Sequence, residues 1–195
     1  MDKDYLVVDL EFTQYTKPVG RPRAFFSEII EIGAVKIAGD THETTGNMQH
    51  FVKPHFYPKQ AAESMTFCMI TEADMKTAID FGDMLQKLIA LYVPEKTFFV
   101  SWGEADYSVI DQGCQRHALA NPILREDCLD LAAAYRLMKG DRLTTGLRKA
   151  TEELGIDGEG LWHTAYDDAA NTGRVLLKLL ANGWRPEHFF ASMGE

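Results

Sequence analysis

Residues 5–12, Tyr5-Leu6-Val7-Val8-Asp9-Leu10-Glu11-Phe12, constrain this chain more than any other stretch. A short apolar run with β-branched side chains is the pattern of a strand buried in a sheet. Two carboxylates, Asp9 and Glu11, interrupt it. Side chains alternate along a strand, so residues two apart share a face, with Cα atoms roughly 6–7 Å apart. Burying two unpaired anions side by side is prohibitively costly. Either cations sit opposite them, or the pair lies at the strand end and holds a divalent metal. A solvated edge strand with one polar face is the plainer alternative. The apolar neighbours Val7, Val8, Leu10 and Phe12 favour a core strand, and Lys3 and Lys17 are too exposed in pattern to serve as partners. A metal site requires further carboxylates downstream.

At 195 residues, 46% of them hydrophobic and 25% charged, the chain is expected to form one domain, 1–195. No apolar run reaches the length of a membrane-crossing helix, so no membrane partner is expected. The start, Met1-Asp2-Lys3-Asp4, lacks the charged-then-apolar plan of a secretory leader. Three cysteines without C-x-x-C spacing read as reduced thiols in a cytoplasmic protein. A formal charge of −9 argues against a general nucleic-acid coat or a membrane-surface protein. It leaves room for an enzyme acting on nucleic acid, whose active-site carboxylates are offset by bound metal.

After the first strand, residues 13–27 carry the loop signals Pro18, Gly20 and Pro22 and a basic cluster of Lys17, Arg21 and Arg23. Strands follow at 29–38 and 44–52 around the turn Gly39-Asp40, and connections this short require antiparallel pairing. Residues 54–58 read as loop, Thr71 as the cap of a short helix and Asp80 as the cap of a helix over 81–92. A second buried strand spans 97–102, then a helix runs from 105 to 120, stopped by Asn121-Pro122. A short strand at 128–131, a helix over 131–138 ended by Gly140, and a helix capped by Thr145 running to 154 come next. A long helix over 165–181 ends at Asn182-Gly183, and a short helix from Pro186 packs Phe189 and Phe190. Antiparallel strands followed by strand–helix alternation define a mixed-sheet α/β fold.

The further carboxylates exist. Asp106 follows the second buried strand and falls in the first turn of the next helix, where complementing the helix dipole is its simplest role. Asp167 and Asp168 open the long helix. Thr164 and Asp167 resemble a capping box, and Asp167 shares a stripe with Asn171, Arg174 and Lys178 that reads as solvated. Asp168 shares the inward face with Ala165, Ala169, Thr172 and Val175, and needs a partner. His163 precedes this helix and loop geometry brings it beside Asp168; a hydrogen-bonded structural histidine is the alternative. Four carboxylates and one imidazole make a kit for phosphodiester hydrolysis, with paired cations clamping the attacking and leaving oxygens and histidine taking a proton from water. His42, His50 and His55 are scattered without clustered cysteines, which disfavours zinc. Trp102 and Trp162 flank the motif positions and read either as base-stacking surfaces or as buried aromatics. No phosphate-binding G-x-x-x-x-G-K-[ST] loop is present.

Asp9-x-Glu11, Asp106 and His163-x-Ala165-x-x-Asp168 resemble, in order and spacing, the DEDDh family of 3′–5′ exonucleases. Residues 26–35 are similar to that family's second strand, and Ser101-Trp102-Gly103-x-x-Asp106 with Val52-Lys53-Pro54 is similar to the enhanced-RNAi exonuclease group. Asp9-Leu10-Glu11-Phe12-Thr13 and the long loop before Phe25-Phe26 resemble the bacterial sporulation-inhibitor, KapD-like branch. The resemblance implies a ribonuclease H-like five-stranded sheet of order 3-2-1-4-5 flanked by helices, two Mg²⁺ or Mn²⁺ ions, and release of nucleoside monophosphates from a 3′ end. By position it implies that Asp9, Glu11, Asp106 and Asp168 hold metal and that His163 is the general base. It also implies that backbone at Phe12 and Thr13 meets the terminal nucleotide and that Ile70 wedges against its base. Relatives often carry Leu-Thr-Gly-Ile-Thr where this chain has Phe67-Cys68-Met69-Ile70-Thr71. Arg21 and Arg23, just after the catalytic strand, are candidates for the phosphates upstream of the scissile bond.

The expected partner is single-stranded RNA or DNA with a free 3′ end, RNA being favoured. A DNA-trimming exonuclease of the same family and a non-catalytic nucleic-acid-binding regulator are the alternatives, as is a plain interaction module with incidental carboxylates.

Overall fold

β1 (Asp4–Phe12) is the centre of a five-stranded sheet of order β3-β2-β1-β4-β5 in this computed structural model, which describes residues 3–17 and 19–192. Met1, Asp2 and the loop signal Pro18 lie outside the described residues. β2 (Ile29–Ile37) and β3 (Thr44–Phe51) form an antiparallel meander on one side of β1. β4 (Thr97–Ser101) and β5 (Cys128–Asp130) lie parallel to β1 on the other. The mixed sheet and its strand order are those the motif resemblance implies.

Helices cover both faces. α3 (Phe81–Ile89) and α4 (Ala105–Arg116) bury Phe81, Met84, Leu88 and Ile110 against Leu6, Val8, Ile32 and Ala34. α5 (Leu131–Lys139), α6 (Leu147–Glu153) and α7 (Ala165–Ala181) enclose Tyr5, Val7, Val35 and Val100 on the opposite face. The alternation of β1 therefore feeds two cores, which is why the strand reads as almost continuously apolar. α8 (Pro186–Ser192) seats Phe189 in the second core with Phe190 partly buried beside it.

Two short helices complete the chain: α1 (Pro58–Phe67) and α2 (Glu72–Met75). α1 is absent from the sequence reading. It buries only Ala61 and Ser64, too little for an apolar stripe, and Tyr57 at its start makes no side-chain cap. The carboxylate of Glu28 instead fixes the turn leading into it, accepting from the backbone of His55, Phe56 and Tyr57 at 2.6–2.8 Å. Thr71 caps α2 as expected, and Asp74 completes a capping box with it.

Other boundaries move for local reasons. α4 stops at Arg116, short of Asn121-Pro122, because Ala118 is left-handed (φ 55°) and the Leu119 amide donates back to Cys114. α6 begins after Gly146; Thr145 is not its cap, and its carbonyl accepts from Trp102 Nε1. α3 closes at Ile89, its end tightened by turns through Leu91 and Tyr92.

Candidate active site

β1 outruns its neighbour. Its pairing with β4 ends at Val7–Val100, while the β2 side continues to Phe12, so the last residues of β1 have one open edge. Asp106, in the first turn of α4, fills part of that edge: its Oδ1 accepts from the Leu10 amide at 3.0 Å. Asp9 and Glu11 project from this overhang on the face covered by the start of α7. Gly33 stands opposite Asp9 in the register, and a Cβ there would collide with the backbone of Ala165 and Tyr166. Only glycine permits the α7 N-terminus to approach the sheet so closely.

That approach brings in Asp168. Its Oδ2 accepts from the His163 amide at 3.0 Å, and its Oδ1 is buried without a hydrogen-bond partner among the described residues. His163 holds a left-handed backbone (φ 67°), and its ring lies 5.0 Å from that of Phe67. Donor atoms of Glu11, His163 and Asp168 fall within 4.8 Å of one another. No other trio of such residues meets this spacing among the described residues, so His42, His50 and His55 assemble no zinc site.

The electrostatics are those of a cation site. Asp9 is pushed well above the usual carboxylate range, by burial first and then by Asp106, Asp168, Glu11 and Glu31. Burial likewise raises Asp106, to about 7, and raises Asp168. Glu11 is raised by burial, opposed by the Cys68 thiol that donates to it at 2.9 Å and by His163. Lys3 and Lys17 supply no compensation: they pair with Asp127 and Glu63. Clustered anions, with an orphaned buried oxygen among them, fit divalent cations.

Glu31 is a participant the sequence reading did not single out. It faces Glu11 across β1 and β2, is 1% exposed, and is raised by burial. Gln49 Nε2 donates to it at 2.9 Å and the Ala165 amide at 3.3 Å, so it ties the head of α7 to the sheet. A lone carboxylate in the apolar first half of the strand, two residues before Gly33, was the available signal.

A cleft of about 550 Å³ opens beside these groups, lined by Glu11, Phe12, Gln14, Glu63, Phe67 and His163. Phe12 lies on its wall, while Thr13 is fully buried, lies outside the lining, and its amide donates to the Glu28 carbonyl at 2.8 Å. Ile70 lies outside the cleft lining: it follows left-handed Met69 (φ 58°), its amide donates to the Met65 carbonyl, and its side chain packs with Ile30, Ala61 and Cys68. Exposed Phe67 presents the apolar surface instead. Arg21 and Arg23 are exposed and lie outside the cleft lining. Trp102 and Trp162 are half-buried, bonded to Thr145 and packed over Gly158 respectively.

Asp167 forms no capping box, because Thr164 makes no side-chain cap; Asp167 Oδ2 accepts from Leu161 at 2.8 Å. Nor is its stripe solvated, since Asn171 is fully buried and bonded in both directions to the backbone of Glu159.

A mixed sheet of this order, with acidic side chains gathered at the overhang of its central strand, defines a class of nuclease. The exonuclease (RNase_T) family model matches residues 6–176, and the chain belongs to that family. It is 36% identical to the probable 3′-5′ exonuclease KapD of Bacillus subtilis over 90% of this chain and 83% of that protein. It is 27% identical to human 3′-5′ exoribonuclease 1 over 92% of this chain, but spans about half (53%) of that relative's length. The nuclease domain of 3′hExo, a DEDDh family member bound to rAMP, superimposes with a TM-score of 0.80 at 25% identity, covering 93% of this chain and 94% of that one.

Proposed function

We propose that this chain, working as one domain, is a metal-dependent 3′–5′ exonuclease that releases nucleoside monophosphates from single-stranded RNA. The observation that carries the reading is the convergence of Asp9, Glu11, Asp106 and Asp168 on one end of β1, with Asp168 Oδ1 buried and unpartnered. Asp9, Glu11, Asp106 and Asp168 would hold two Mg²⁺ or Mn²⁺ ions, which would supply neutralising charge to the scissile phosphate. His163, on the exposed rim and within reach of Glu11 and Asp168, takes the proton from the attacking water. Phe67 and Phe12 offer ring surface to the terminal nucleoside, and Gln14 lines the same cleft with a hydrogen-bonding side chain. The exoribonuclease relatives support RNA over DNA. Three free cysteines support a reducing, cytoplasmic location.

Incubation with Mn²⁺ and 5′-labelled RNA and DNA oligomers tests this. A ladder shortening from the 3′ end, faster on RNA and lost on chelation, is expected. His163→Ala should slow the reaction on the order of 10²–10⁴-fold while retaining Mn²⁺ binding by calorimetry. Hydrolysis from the 5′ end, or undiminished turnover in chelator, would overturn the proposal.

A further inference from the structure

The cleft accounts for one nucleotide and leaves a second surface unexplained. The segment between β1 and β2, the turn before α1 and the end of α4 bring their rings together in an unbroken path. Phe25 meets Tyr57 at 5.1 Å between centroids, Tyr57 meets Phe26 at 5.5 Å, and Phe26 meets Phe56 at 5.1 Å. The path continues through Phe56 to His55 at 5.0 Å and to His117 at 5.1 Å. It is not sealed like a core: Phe56 is 40% exposed, His55 is exposed and Phe25 is half-buried.

Guanidiniums lie over these rings. Arg21 sits 5.3 Å from the Phe25 centroid and Arg116 sits 4.8 Å from that of Phe26. Arg21, Arg23 and Arg116 have no ion-pair partner among the described residues, whereas Lys17 and Lys53 nearby are paired. In a chain of net charge −9, three unpaired arginines, two of them over aromatic rings, are a local reversal of sign. A polyanion repelled by the molecule as a whole needs such a reversal to be held. Ring faces that accept any base, alternating with cations that accept phosphate, are the chemistry of sequence-tolerant single-strand binding.

The surface is coupled to the cleft. Glu28 and Thr13 exchange two hydrogen bonds, from the Thr13 amide to the Glu28 carbonyl and from the Glu28 amide to Thr13 Oγ1. The Glu28 carboxylate then holds the amides of residues 55–57. α1 leads from Tyr57 on the aromatic path to Phe67 in the cleft, about 15 Å for its ten residues. A strand whose 3′ end lies in the cleft reaches the path after a few nucleotides.

We infer that Phe25, Phe56 and His55, with Arg21, Arg23 and Arg116, form a binding tract for the part of a single-stranded nucleic acid upstream of the scissile bond. Bases stack on the rings and phosphates pair with the guanidiniums. The inference rests on the exonuclease reading of the cleft, and its test is separable from that reading because binding is measured without metal. Fluorescence anisotropy in chelator at low salt compares a labelled 12-nucleotide RNA with a dinucleotide. Against wild type, Phe25→Leu/Phe56→Leu, which keeps apolar volume but removes the ring faces, should weaken 12-mer binding on the order of 10–100-fold. It should leave the slope of affinity against salt nearly unchanged. Arg21→Gln/Arg116→Gln should instead flatten that slope by about 1.4. The dinucleotide is too short to reach the tract, so with Mn²⁺ its hydrolysis by the Leu variant should match wild type. Wild-type protein binding the 12-mer no better than the dinucleotide overturns the tract. So do unchanged 12-mer affinity and salt slope in both variants, or an equal loss on dinucleotide and 12-mer. Failure of the exonuclease reading shows separately, as absence of mononucleotide release from either substrate by wild type.

Discussion

Asp167 and Asp168 differ by about 100° of helix rotation, and that rotation separates their chemistry. Asp167 turns toward Leu161 and holds the loop before α7; Asp168 turns toward Glu11 with one oxygen unpartnered. Asp168→Asn should abolish hydrolysis. Asp167→Asn should keep turnover and cost roughly 0.5–1 kcal/mol at the helix start, read from thermal midpoints. The reverse pattern would place the metal site on the wrong aspartate. Met69 is the other residue whose backbone decides its role. It occupies a left-handed position that closes α1, with its own amide bonded to Thr66 and the next to Met65, while its side chain is 56% exposed. Left-handed backbone costs a side-chain-bearing residue about 1–2 kcal/mol, so Met69→Gly should raise the thermal midpoint despite the entropy of glycine. A lowered midpoint would show that the Met69 side chain stabilises the fold more than its backbone strains it.

At the scale of elements, helix ends explain where the sequence was legible. Gly140 and Gly183 end α5 and α7 in left-handed conformation, and both ends were readable because glycine tolerates that backbone. Met69 and Ala118 do the same for α1 and α4 without glycine, so their ends were hidden. α1 was missed although Pro58 opens it, because it has no apolar stripe and no side-chain cap, and the turn leading into it is fixed by Glu28 from a distant segment. Glu28→Ala strands three amides at once and should cost roughly 2–3 kcal/mol by denaturant titration. Hydrogen exchange should quicken first at residues 55–57. Equal quickening throughout the sheet, with no local preference, would mean that Glu28 is not a specific clamp on α1.

Across the whole molecule, the carboxylate cluster sets a pH dependence. Asp106 rises from an ordinary 3.8 to about 7, and Asp9 and Asp168 rise with it, burial leading in each case. Between those limits the folded state binds more protons than the unfolded one. The contribution is therefore complete below about pH 4 and lost as pH rises through about 7. In chelator, the thermal midpoint should fall from pH 5.5 to pH 8, and Mn²⁺ at pH 8 should restore it. Asp9→Asn should flatten the fall by removing one anion from the cluster, while abolishing turnover. A midpoint in chelator that climbs over this range would contradict the burial of raised carboxylates at this site.

The sequence by itself determined the sheet and the chemistry at its centre. Alternation, β-branched runs and loop residues are local signals, and Asp9, Glu11, Asp106, His163 and Asp168 each sit at a strand end or helix start that such signals mark. What surrounds them was decided by tertiary structure. Thr13 bonds to Glu28 and Ile70 packs into the core, placements that only the fold reveals. Glu31 looked like an ordinary strand residue until Gly33 allowed α7 to dock above it. Those contacts join residues far apart in the chain, and no local pattern encodes them, because their energy comes from partners that only folding brings within reach.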